Sequence, residues 1–126
     1  MYGGCKSTFH LTGTHKTLDI VYSVAYNIGM FTVDRTSIFD KWLKKLRDRQ
    51  ARLIITTHID RMTRGNLGNF KPVGEGVVEK KINYGAGYRL YYFQKGKSWI
   101  ILLCGGDKGT QKADIAQAKQ LKKELE

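Results

Sequence analysis

The chain is 126 residues long, 41% apolar and 26% charged, the balance of one globular domain and not of a disordered or low-complexity polypeptide. Lys and Arg number 22 against 11 Asp and Glu, a formal net charge of +11. Such an excess favours a polyanionic partner: nucleic acid, an anionic membrane surface or an acidic protein.

Two cysteines, Cys5 and Cys104, lie far apart with no second ligand pair nearby. They form neither a disulfide framework nor a zinc site, and they fit a reducing cytosol, so a cytoplasmic location is expected. The longest apolar candidate, Ile20 to Val33, is interrupted by Ser23, Asn27 and Gly29. It falls short of the roughly 18 uninterrupted apolar residues that span a bilayer, and no membrane partner is expected.

The first 29 residues differ from the rest: they hold two of the three histidines, His10 and His15, and only three charges, Lys6, Lys16 and Asp19. Met30 opens a clearer pattern. Phe31-Thr32-Val33-Asp34 alternates apolar and polar, which predicts a short strand. Ser37, with Asp40 three residues on, predicts the N-cap of a helix. Ile38, Phe39, Trp42, Leu43 and Leu46 form its apolar stripe, and the helix loosens near Asp48. A second helix is predicted over 49–64, with Ala51, Ile54, Ile55, His58, Ile59 and Met62 on one face and Gly65 as the stop.

From Gly65 to Gly76 the composition predicts a loop, because five residues there are Gly or Pro. The period then changes from 3.6 to 2. A strand is predicted over 76–83, with Val78 and Ile82 on one face and Glu79 and Lys81 on the other. Tyr84-Gly85-Ala86-Gly87 is a turn, 88–94 a second strand and Lys95-Gly96-Lys97 a hairpin turn. Trp99 to Cys104 is a continuous apolar run, the mark of a central strand buried on both faces, and Gly105-Gly106 ends it. Thr110 is the expected cap of a last helix in which Ile115, Ala118, Leu121 and Leu125 recur. The order is an N-terminal strand, a two-helix hairpin, a three-stranded antiparallel meander and a C-terminal helix, which is an α+β domain.

The pattern holds no clustered metal ligands, no phosphate-binding glycine loop between a strand and a helix, and no nucleophile elbow. No metal or cofactor is therefore expected. His58 sits among apolar helical positions and reads as a partly buried core histidine, which argues against a two-histidine ribonuclease. What remains is a basic constellation. Lys81 shares a face with Glu79, Arg89 lies one hairpin later beside Lys81, and Lys108 follows the central strand. Loop residues Lys71 and Lys80 and helix residue Lys112 add charge nearby. Cations converging from separate elements suit a phosphodiester: Arg offers a planar fork for two phosphate oxygens, and Lys a point charge or, with its pKa lowered, a proton acceptor.

At these residues the chain resembles a known family. The segments from Phe39 to Asp48, Ile59-Asp60-Arg61, Gly65-Asn66-Leu67-Gly68 and Lys71 to Val77 carry the resemblance. So do Gly85-Ala86-Gly87-Tyr88-Arg89-Leu90-Tyr91 and Leu102 to Lys108. They are similar to the addiction-module killer proteins, HigB-like toxins of the RelE/ParE superfamily. The likeness runs from about Met30 to the C-terminus, so residues 1–29 are expected to be an upstream extension. The resemblance implies a cytoplasmic toxin of a type II toxin–antitoxin module that cuts mRNA on the ribosome without a metal, using the RNA's own 2′-hydroxyl. It implies a cognate antitoxin, often a DNA-binding protein. ParE-like members share the fold and poison gyrase instead.

Residue by residue, Arg89 resembles the phosphate-binding arginine of the RelE-like nucleases. Lys81 falls where they keep a basic residue one strand earlier, and Lys108 where one follows the last strand. Glu79 stands where a second basic residue belongs and is an alternative base. Gln111 and Asp114 occupy the region where the best-known member has a tyrosine. Lys71, Lys80, Gln111 and Lys112 are the expected RNA-binding residues.

Overall fold

A computed structural model describes the backbone course of residues 20–25 and the whole of residues 31–126. The expected start at Met30 and everything before Ile20 lie outside the described residues. The elements run β1 (Ile20–Ala25), β2 (Thr32–Thr36), α1 (Ser37–Lys45), α2 (Arg49–Thr63), β3 (Phe70–Gly74), β4 (Val77–Ile82), β5 (Tyr88–Lys95), β6 (Trp99–Gly106) and α3 (Gln111–Leu125). A short 3-10 turn, Lys108–Thr110, precedes α3.

The strands form one six-stranded sheet in the order β1-β2-β6-β5-β4-β3. β2 runs parallel to β6, and the other neighbours are antiparallel. The expected α+β class and the β4-β5-β6 meander are both present. The central position of β6 explains its apolar run, since it is hydrogen-bonded on both edges and covered on both faces.

Each face of the sheet has its own core. On one, Phe39 and Leu43 of α1 and Ile55, Ile59 and Met62 of α2 pack on Val33, Ile82, Leu90, Tyr92, Ile100 and Leu102. On the other, Ala118, Leu121 and Leu125 of α3 pack on Val77, Tyr91, Phe93, Ile101, Leu103 and Cys104. Burying such side chains is worth about 1.5–3 kcal/mol each, so both helical layers are held by their apolar stripes. Double coverage also changes the role of Asp34. It is not a solvent-facing position of an amphipathic strand but a buried carboxylate that accepts a hydrogen bond from Trp99 Nε1 at 2.7 Å.

Three local expectations need correction. The cap of α1 is Thr36, not Ser37: its backbone is extended, and its hydroxyl accepts from Phe39 N at 3.0 Å and donates to Leu103 O at 2.8 Å. The expected loop after Gly65 contains an edge strand, β3, paired with β4. An edge strand tolerates Pro72 because one side of it makes no ladder bonds. Finally, Gly105 and Gly106 do not end β6 but belong to it. A Cβ on Gly105 would stand 2.4 Å from the Trp42 ring, and one on Gly106 only 1.7 Å from the Asp114 carboxyl. Glycine is required there by what packs on each face, not by a turn.

β6 also carries a bulge. Tyr91 pairs with Cys104 and Tyr92 with Leu102, which leaves Leu103 without a partner on β5. Leu103 and Cys104 therefore both face α3, and the freed Leu103 carbonyl is taken by Thr36.

Candidate functional site

The site lies at the end of the sheet where β4 leaves, β5 enters and β6 finishes, on the face covered by α3. Register builds it. Lys81 pairs with Arg89 and Arg89 with Gly106, so the two cations share one rung with a glycine. Two rungs along, on the same face, stand Lys71, Glu79, Tyr91 and Cys104. Lys71 and Lys81 are exposed, while Glu79 and Arg89 are buried, at 3% and 6% relative exposure.

Glu79 is the hub. Its Oε2 accepts from Tyr91 Oη at 3.0 Å and from Gln111 Nε2 at 3.0 Å, and it stands 3.8 Å from Arg89 Nε. Arg89 Nη1 donates to Gly87 O at 2.7 Å, and its buried Nε makes no hydrogen bond. The guanidinium is thus fixed in orientation by a carboxylate and a carbonyl, beneath the first turn of α3. Burial, and then the bond to Glu79, push the Tyr91 hydroxyl far above its usual range, so it stays protonated and keeps its donated bond to Glu79.

Lys108 reaches the site through the turns. Its backbone N donates to Ala86 O at 3.3 Å, tying the β6–α3 connection to the β4–β5 turn. Gly87 sits between the two cations at φ +79: a Cβ there would stand 3.2 Å from Arg89 Nη1 and 3.4 Å from Lys108 Cβ. Asp107 caps the 3-10 turn, accepting from Gly109 N at 2.8 Å. Lys112 is exposed on the first turn of α3.

The structure brings together Arg89, Lys81, Lys108, Glu79 and Gln111 on the α3 side, with Lys71 paired to Glu79 at the sheet edge; it shows Lys112 exposed on the first turn of α3, in no hydrogen bond or ion pair with them. It does not bring Lys80. That residue lies within β4, not a loop, and strand alternation turns it to the α1–α2 face. There it is buried and donates from Nζ to Leu67 O at 2.9 Å. Burial, and then Arg61, lower its pKa; burial, followed by Lys80 and Arg61, lowers that of His58.

Two site residues carry roles that the pattern alone did not assign. Tyr91 follows Arg89 by two on the same strand, so alternation was the available signal. Asp114 follows Gln111 by three on α3; its Oδ2 accepts from Thr110 Oγ1 at 2.5 Å, and its carboxyl rests on Gly106. Cys104 is buried nearby, its thiol pushed up to about 12 by burial and then by Asp114, which leaves no thiolate nucleophile at neutral pH. Among the described residues, no group of three His, Cys, Asp or Glu is placed to hold a metal ion, and no helix is long and apolar enough to cross a membrane.

This α+β domain thus gathers cations from β4, β5 and the β6–α3 turn at one end of its sheet. Residues 41–125 match the family described as Phage derived protein Gp49-like (DUF891), and the chain belongs to that family. The family is associated with the toxins of toxin–antitoxin modules, of RelE/HigB-like kind, which makes an antitoxin the partner the family suggests. The chain is also 45% identical over 93 residues to an uncharacterised protein of Haemophilus influenzae, covering 74% of this chain and 94% of that one. No solved structure matches.

Proposed function

We propose that this protein is a HigB-like toxin with the RelE/ParE topology, a metal-independent endoribonuclease that cuts mRNA on the ribosome and so arrests translation in the cytoplasm. The observation that carries this reading is the shared rung of Lys81, Arg89 and Gly106, with Lys108 brought to it across Gly87. The toxin domain would run from Met30 to Glu126, with β1 of the upstream extension laid along the outer edge of β2, away from the site.

In this mechanism Arg89 binds the scissile phosphate and stabilises the charge that builds on it, a role that suits a guanidinium already fixed in place. Lys81 orients or deprotonates the 2′-hydroxyl, and Lys108 neutralises phosphate charge. Glu79, proposed from sequence as an alternative base, is better suited to positioning Arg89, because it is buried and one oxygen already serves Tyr91 and Gln111. Lys71 and Lys112 attract the backbone on either side. Ribosome dependence follows if the ribosome supplies the substrate alignment that a small basic surface cannot. A DNA-binding antitoxin would hold the toxin silent.

Induced expression followed by primer extension on cellular transcripts tests the reading. Discrete cuts within codons are expected from the wild type, and neither cuts nor growth arrest from Arg89→Ala. Intact messages with a DNA-damage response would point instead to a gyrase-poisoning toxin. Intact messages and unaffected growth would point to a protein that keeps only antitoxin binding.

A further inference from the structure

We infer that Asp114 is the general acid of the cleavage, the group that protonates the departing 5′-oxygen; the inference rests on the endoribonuclease reading above. Three observations lead to it. First, Gly106 gives up a side chain where Asp114 lies: a Cβ there would collide with the carboxyl, and Gly106 is the rung partner of Arg89. The carboxyl and the phosphate-binding guanidinium therefore flank the same point of the sheet. Second, Thr110 Oγ1 holds Oδ2 at 2.5 Å, and Oδ1 makes no hydrogen bond to any described residue, so it is free to carry a proton. Third, Asp114 is half-buried, whereas Glu79 is buried and its Oε2 already accepts from Tyr91 and Gln111, so Asp114 is the more accessible of the two carboxylates.

The surroundings make the carboxyl a weaker acid than a free one. Burial raises the pKa of Asp114 from 3.8 and Asp107 adds to the rise, against the Thr110 bond, which lowers it. The other titratable groups that feel its charge are Cys104 of β6 and Tyr91 of β5, and Arg89 lies on the same rung as the Gly106 on which it rests. A bound phosphodiester anion would push the carboxyl further in the same direction.

The step balances. The 2′-oxygen, oriented by Lys81, attacks phosphorus and its proton passes to solvent water, which reaches the exposed Lys81. The P–O5′ bond breaks, and O5′ takes the proton of Asp114. The products are a 2′,3′-cyclic phosphate and a 5′-hydroxyl end.

The test uses ribosome-bound messages carrying either oxygen or sulfur at the scissile 5′ position, because a thiolate leaves without being protonated. Asp114→Asn is expected to slow the oxygen substrate by about 10²–10⁴-fold and to cut the sulfur substrate at close to the wild-type rate. Lys108→Ala should slow both. An Asp114→Asn protein with an unchanged melting curve that is equally slow on both substrates overturns the assignment and leaves the nuclease reading standing. Should that variant not fold, the wild type decides: an alkaline fall in rate on the oxygen substrate must be absent on the sulfur one, and a shared fall overturns the proposal. A wild type that cuts neither substrate refutes the nuclease reading, and the role of Asp114 with it.

Discussion

Glu79 and Lys80 are neighbours in sequence and lie on opposite sides of the sheet, which decides what each can do. The alternation that set Glu79 apart from Val78 also sets Lys80 apart from Glu79, so its exclusion from the site was legible in the sequence. The burial of Arg89 was not, because it depends on α3 docking over the strand ends, and no local pattern encodes that. On the far face, Lys80 and Arg61 sit near His58, and burial with these two charges lowers its pKa from 6.5. The unfolded chain then binds more protons than the folded one in the window below 6.5, so stability rises with pH through that window and falls on acidification. Urea titrations between about pH 5 and 7 should show a flatter pH dependence for His58→Gln than for the wild type. Equal slopes would mean that His58 contributes nothing.

At the scale of elements, Thr36 ties three together. It ends β2, caps α1 and fills the hydrogen-bonding need of the β6 bulge. Thr36→Val keeps the shape and removes both bonds, leaving a buried carbonyl unpaired. The expected loss is about 2 kcal/mol, a fall in Tm on the order of 8 °C. Thr56→Val, whose hydroxyl only bonds back along its own exposed helix to Arg52 O, should stay within about 0.5 kcal/mol by thermal melting. Similar losses for the two would show that the tie at Thr36 is not special. The long, strongly periodic elements (α1, α2, β5 and the apolar run of β6) were readable from the sequence because each declares its own period. β3 was hidden: it is five residues long and carries Pro and Gly, residues that signal a loop unless a neighbouring strand is known to be there. The bulge was hidden too, since an extra residue in β6 shows only against the register of β5.

Over the whole molecule the charge is unevenly placed. Residues 1–29 hold two basic residues and one acidic, so the remainder holds 20 and 10, and nearly all of the excess belongs to 30–126. Each lysine on a bound single strand should add about 0.7 to the slope of log affinity against log salt. Fluorescence anisotropy with a short RNA should therefore show that slope fall by about 0.7 for Lys81→Ala and hold for Lys95→Ala, at the opposite end of β5 from Arg89. An equal fall for both would make the attraction diffuse. The unpaired Leu103, finally, works as a seam. Removing one residue there would restore plain alternation in β6 without turning over Cys104, Gly105 or Gly106. The core half and the site half of the strand are thus independent in register, and a one-residue deletion at Leu103 would still present Gly106 to Arg89.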